Sequence, residues 1–209
     1  MLNKKKIIKY KSSAGFTLIE LLVAMGIFVL IAMAASWIMI RGFRYNGIIW
    51  EQLQSQNDGR RVVQNVVDDL RKAEESSVGG YPIATAGDYN LIFYANIDGD
   101  SMRESLHYWL DGTTVKQGIL KPSGSPLSYS GVEDVVEIAH YVVNIEESSP
   151  LFVYYDESFT GTENALAQPV DIPDIRVIKV QLELEKDPTE TPVPLHIESM
   201  VQVRNLKEN

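Results

Sequence analysis

The 209 residues suffice for about one domain and an attachment element, at roughly 150 residues per domain. With 28 acidic against 19 basic residues and a formal charge of −9, the body has no charge-driven reason to bind nucleic-acid phosphates, and no nucleic acid is expected among its partners. There is no cysteine, which excludes disulfides, thiolate metal sites and cysteine nucleophiles.

The basic residues are unevenly placed. Lys4, Lys5, Lys6, Lys9 and Lys11 stand in residues 1–15, which hold no acid; taking those five charges from the formal −9 would leave −14. After Gly15 the chain turns apolar, interrupted only by Thr17 and Glu20 before Leu21–Ile40, which carries no charge. As a helix rising about 1.5 Å per residue, residues 16–40 cover roughly 37 Å, enough for a bilayer core of about 30 Å. Lysines ahead of the span place the head in the cytoplasm and the rest outside. Two ordinary readings compete. A secretory signal peptide would be cut near Ala32-Met33-Ala34, but the apolar run continues through Trp37, Ile38, Met39 and Ile40. A plain single-pass anchor tolerates Glu20 only at the interface. Neither explains the spacing of Gly15, Phe16 and Glu20.

Gly15-Phe16-Thr17-Leu18-Ile19-Glu20, preceded by lysines and followed by an apolar run, resembles the class III signal sequence of type IV prepilins and type II secretion pseudopilins. The resemblance implies that residues 1–15 are a leader, that prepilin peptidase cuts after Gly15 and methylates Phe16, and that Glu20, the fifth mature residue, serves assembly. Cutting ahead of an apolar run, instead of behind it, removes the cytoplasmic charges and leaves the helix on the body. A carboxylate in lipid costs on the order of 2.5–3.5 kcal/mol at the helix centre and less near an interface, so it asks for a partner. The resemblance implies that this partner is the Phe16 amine of a neighbouring subunit. Glycine before the cut presents no side chain to a peptidase that must approach the backbone closely.

Residues 41–75 predict an amphipathic continuation of the helix. Ile49 and Leu53 lie four apart, and Val62, Val63, Val66, Val67, Leu70 and Ala73 recur at helical spacing opposite Asp68, Asp69, Arg71 and Lys72. Gly42, Gly47 and Gly59 each weaken a helix by roughly 1 kcal/mol relative to alanine; bending or local melting there competes with simple tolerance on a helix held by tertiary contacts.

After Ser76 the character changes, and residues 76–209 read as a β-rich extracytoplasmic domain. Runs rich in Val, Ile, Tyr and Phe predict strands at 91–95, 105–110, 113–120, 132–146, 151–155, 175–185 and 195–204. Loops are expected at 79–88, 121–131, 156–174 and 187–194. Alternation at Val177–Glu185 suits an antiparallel sheet with one wet face. The expected fold is α+β, with the amphipathic part of the helix covering the dry face of the sheet. Trp50 and Trp109 read as packing residues, and Trp37 as lying at the outer end of the membrane segment.

This order also resembles the minor pilin group that includes pseudopilin J and the PilW-like proteins. So do Asn96-Ile97-Asp98-Gly99-Asp100 leading through Glu104 into Leu106-His107-Tyr108-Trp109-Leu110, Leu151–Asp156, and the closing Val-Gln-Val-Arg-Asn-Leu. The resemblance implies a pilin-like fold and a minor subunit, since major pilins are generally built on a smaller sheet.

Asn96, Asp98 and Asp100 have the 1, 3, 5 spacing of an EF-hand-type calcium loop, and Glu104 at position nine could supply an oxygen. The sixth position is Ser101 instead of glycine and the twelfth His107 instead of glutamate; Asp-Gly between strands also reads as hairpin chemistry. No cofactor is required, and calcium is the one candidate. His107, His140 and His196 lack metal-ligand spacing, and no P-loop, G-x-G-x-x-G or G-x-S-x-G occurs, so an enzyme is not expected. The expected function is a structural subunit of a type IV pilus or type II secretion pseudopilus. Its expected partners are prepilin peptidase, other major and minor pilins or pseudopilins, the inner-membrane assembly platform and membrane lipid. It would wait in the cytoplasmic (inner) membrane as a single-pass protein, its domain outside, before joining the fibre. The alternative is a membrane-tethered, adhesin-like binding module.

Overall fold

A computed structural model describes residues 15–185 and 194–203, with only the backbone of residues 44–55. The leader up to residue 14, residues 187–193 of the expected loop and the chain beyond Val203 lie outside the described residues, as do the side chains of Ile49, Trp50 and Leu53.

One helix, α1 (Leu18–Arg71), takes up the N-terminal part. Its backbone stays helical through Gly42, Gly47 and Gly59. It ends at Arg71, four residues short of the expected Glu75. There the chain turns to the sheet: Ala73 bridges Ala95, and the Glu74 N–H donates to the Tyr94 carbonyl at 2.9 Å. The chain divides into two compact units, residues 1–51 and 52–209.

In the first unit, Leu18–Phe43 is apolar and none of it is buried. At about 1.5 Å per residue these 26 residues span roughly 39 Å, enough to cross a bilayer. In the second unit, Val63, Val66, Val67 and Leu70 of α1 are at most 2% exposed, so the predicted apolar stripe is the face that enters the core.

The sheet residues opposite that stripe come from two antiparallel sheets, where one was expected. The first is a five-stranded meander of β1 (Ile83–Ala86), β2 (Asn90–Ala95), β3 (Glu104–Asp111), β4 (Thr114–Leu120) and β5 (Asp134–Ala139). The second holds β6 (Phe152–Tyr155), β7 (Val177–Leu184) and β8 (Leu195–Gln202). Period-two alternation turns Leu91, Phe93 and Ala95 of β2 and Leu106, Tyr108 and Leu110 of β3 inward. Ile178, Val180 and Leu182 do the same in β7. The β3–β4 hairpin closes Asp111 on Thr114 with Gly112 at φ 60° in the first loop position, the place a type II′ turn reserves for glycine.

The helix touches both sheets. The Tyr108 hydroxyl of β3 donates to Asp69 at 2.7 Å. Toward the second sheet, a Cβ at Gly59 would run into Leu184 Cδ1 and stand 2.7 Å from Ile197 Cδ1. Gly59 is therefore a close-approach glycine, where tertiary contact outweighs helix propensity.

Two further expectations are corrected. The run 132–146 is not one strand: β5 stops at Ala139, Tyr141 adopts φ 62°, and Val142 bridges Leu184 of the second sheet. The buried Asn144 then holds that crossover, donating to the Gln181 carbonyl at 3.1 Å and accepting from the Glu183 N–H at 2.8 Å. The segment 79–88 is not all loop, since β1 pairs with β2 and buries Ile83 to 1% exposure.

Candidate functional site

The N-terminal motif is built around the start of α1. An added Cβ at Gly15 would meet nothing within 4 Å, so packing among the described residues does not require glycine there. Phe16 is 89% exposed. Thr17 and Glu20 form a reciprocal cap. The Thr17 N–H and hydroxyl both donate to Glu20 Oε2 at 2.9 Å, and the Glu20 N–H donates to Thr17 Oγ1 at 3.3 Å. This is a capping box, which satisfies helix N–H groups that have no partner one turn back. Further along, the Ser36 hydroxyl donates to the Ala32 carbonyl at 2.8 Å. The Thr17 and Ser36 hydroxyls and Glu20 Oε2 thus find partners within their own segment, as a low-dielectric surrounding demands. Arg41 stacks its guanidinium 4.2 Å from the Trp37 ring centroid, a cation-π pair near the end of the apolar run.

Sequence reading assigned Glu20 a role and missed Thr17. The signal was present as T-L-I-E, the S/T-x-x-E pattern ahead of an apolar run.

The second candidate is the loop between β2 and β3. It brings together three of the four residues read from the EF-hand-like spacing. One carboxylate oxygen each from Asp98, Asp100 and Glu104 lies within 4.8 Å of the others. Asn96 instead shapes the loop: its amide donates to the Asp100 carbonyl and its Oδ1 accepts the Gly99 N–H at 2.7 Å. Asp98 accepts the Asp100 N–H at 3.1 Å, and Asp100 the Met102 N–H at 2.6 Å.

Lys121, which sequence reading passed over, sits among these acids. Its ammonium donates to Asp98, stands 3.4 Å from Asp100 Oδ2 and is 3.7 Å from Glu104 Oε1. The hydrogen bond to Asp98 pushes the ammonium's pKa up to about 12. No local spacing links Lys121 to Glu104. The β3–β4 register does, pairing Ser105 with Leu120 and so placing their next neighbours side by side.

The histidines are dispersed. His107 lies between Glu133, at 3.1 Å, and Asn90, at 3.1 Å, and stacks on Trp109. His140 has Thr114 Oγ1 at 3.4 Å. His196 lies 2.6 Å from Glu183 and 3.3 Å from Glu198, which also pairs with Lys179 at 3.4 Å. The Glu183 hydrogen bond holds the His196 pKa above its ordinary value, against partial burial and with help from Glu198. A folded pKa above the unfolded one (about 6.5) gives stability that is fully present below pH ~6.5 and is lost as pH rises through the folded value. The melting temperature of the full chain in uncharged detergent is therefore expected to fall across that window, and His196→Gln to flatten this part of the profile. Parallel profiles for the two proteins would contradict the assignment.

An exposed apolar helix, capped at its start by its own carboxylate and continuing into a body of antiparallel sheets, defines an α+β fold of pilin-like type. Residues 10–36 match the family model described as the prokaryotic N-terminal methylation motif. The N-terminus is thus a type IV prepilin-like class III signal sequence, and the chain a type IV pilin- or pseudopilin-like precursor. The match takes in Gly15, Phe16, Thr17 and Glu20 and reaches neither sheet. It indicates a structural subunit instead of an enzyme, and it implies processing by prepilin peptidase and assembly with other pilins. The apolar helix fits a single-pass anchor in the inner membrane. No curated protein matches the chain.

Proposed function

We propose that this protein is a minor pilin or pseudopilin that primes the tip of a type IV pilus or type II secretion pseudopilus. Prepilin peptidase cuts between Gly15 and Phe16 and methylates the new terminus. The lysine-rich leader stays inside, and the sheet domain lies outside the membrane. The mature subunit then leaves the bilayer for the fibre, where the Phe16 amine of a neighbour replaces Thr17 as the partner of Glu20.

The observation that carries this reading is the junction of Gly15-Phe16 with an unburied apolar helix whose one acid stands in its first turn. A signal peptide needs no such acid, and a plain anchor is better without it. Support for a minor subunit comes from the body, since eight strands in two sheets among the described residues exceed the smaller sheet general among major pilins.

Mass spectrometry of protein termini from membrane and sheared-fibre fractions tests the proposal. The expected mature terminus in both fractions is N-methylated Phe16. A chain beginning at Ala35 would establish a cleaved secretory signal, and a functional chain retaining its leader would defeat the processing step. A mature chain found in membranes but never in fibres would favour the tethered binding module.

A further inference from the structure

We infer that Asp98, Asp100 and Glu104 form a latched calcium site, in which the Lys121 ammonium holds the place a hard divalent cation takes. Geometry supplies the first support. Calcium binds oxygen at about 2.3–2.6 Å, so two ligands across one ion stand at most about 5 Å apart. The three carboxylate oxygens lie within 4.8 Å of one another and can reach a single ion together.

The second support is independent of that clustering. Glu104 is fully buried, and although its Oε2 accepts the Ile97 N–H at 3.2 Å, its Oε1 has no hydrogen-bond donor among the described residues. Lys121 Nζ is 3.7 Å from that oxygen, beyond hydrogen-bond reach. A carboxylate oxygen withdrawn from water and given no donor is costly. The ammonium, drawn toward Asp98 and Asp100, leaves it unsatisfied.

Charge points the same way. One ammonium against three carboxylates leaves two negative charges, which a divalent ion in its place cancels more nearly and at shorter range. The Lys121 side chain is 56% exposed and can swing into water without unpacking the core. Calcium suits the site better than magnesium, which demands near-ideal octahedral geometry and dehydrates reluctantly. The loop that would be stiffened also reaches the end of α1. The Arg103 N–H donates to Ser77 Oγ at 2.7 Å, and its guanidinium pairs with Glu74 at 3.2 Å. A bound ion would thus fasten the helix end to the β2–β3 loop.

The test is isothermal titration of the chelator-treated full chain, in uncharged detergent, with calcium chloride and separately with magnesium chloride. The wild type is expected to bind one calcium with Kd of about 10⁻⁴–10⁻³ M, the range of weak extracellular sites. At several millimolar calcium the melting temperature should rise by roughly 2–5 °C. Lys121→Met removes the competing ammonium and is expected to bind about fivefold more tightly. Lys121→Gln is expected to show the same direction and serves if the methionine variant does not fold. Asp98→Asn with Asp100→Asn should abolish both the heat and the melting shift. The inference is overturned if neither the wild type nor a Lys121 variant gives saturable heat, or if removing Lys121 leaves the affinity unchanged. Wild-type calcium binding by the double variant, or equal affinity for magnesium, would overturn it as well.

Discussion

A chain carrying Glu20→Ala is expected to be inserted and cut like the wild type and yet to fall at least roughly tenfold in the sheared-fibre fraction. The charge is unfavourable in lipid by on the order of 2.5–3.5 kcal/mol at full depth, so removing it makes the membrane a better resting place for the helix. The same change removes one half of the ion pair proposed for the filament, where losing one partner of a buried pair costs about 3–5 kcal/mol. Both effects act against leaving the bilayer. The capping box supplies the control. Glu20→Gln keeps an acceptor for the Thr17 N–H, as glutamine serves in such boxes, but carries no charge. If charge pairing governs assembly, the glutamine chain is lost from fibres as fully as the alanine chain. If helix capping governs it, the glutamine chain assembles and Thr17→Ala, which costs about 0.5–2 kcal/mol of cap, does not. Wild-type amounts of the alanine chain in fibres would remove the Glu20 charge from the assembly step.

What could be read from the residues divides along physical lines. The apolar helix and its stripe of Val63, Val66, Val67 and Leu70 were legible because helical period and burial agree there. β2, β3, β7 and β8 were legible for the same reason at period two. The division into two sheets was not, because it turns on Tyr141 at φ 62° and on Asn144, whose partners Gln181 and Glu183 lie 37 and 39 residues away. β1 hid in a stretch rich in glycine and proline, where pairing with β2 and burial of Ile83 overrode weak local propensity. At the acidic loop, spacing picked out Asp98, Asp100 and Glu104, whereas Lys121 became visible only through strand register. Gly59 is a similar case. As sequence it is a weak point in a helix, and in the fold it is where Leu184 and Ile197 come closest.

Leucine-to-alanine changes at the two ends of α1 are expected to have opposite signatures, and this contrast follows from burial alone. Leu70 is fully buried in the core, so Leu70→Ala should remove about 2–5 kcal/mol of stability, through lost transfer energy and an incompletely collapsed cavity. With a urea m value of roughly 1–3 kcal/mol/M, the unfolding midpoint of the detergent-solubilised full chain should drop by about 1–2 M. Leu22 belongs to the other compact unit and is 61% exposed, so Leu22→Ala should leave that midpoint unchanged. Its cost should appear instead where the apolar face of Leu18–Phe43 meets other helices, as reduced incorporation into fibres with normal amounts in the membrane. The two residues thus separate the two parts of one helix: its distal part enters the core of the body, and its first part lies exposed. Equal loss of domain stability from both changes would mean that Leu22 is packed against the body after all. Unchanged stability and unchanged fibre content together would mean that Leu22 meets no partner helix in the fibre.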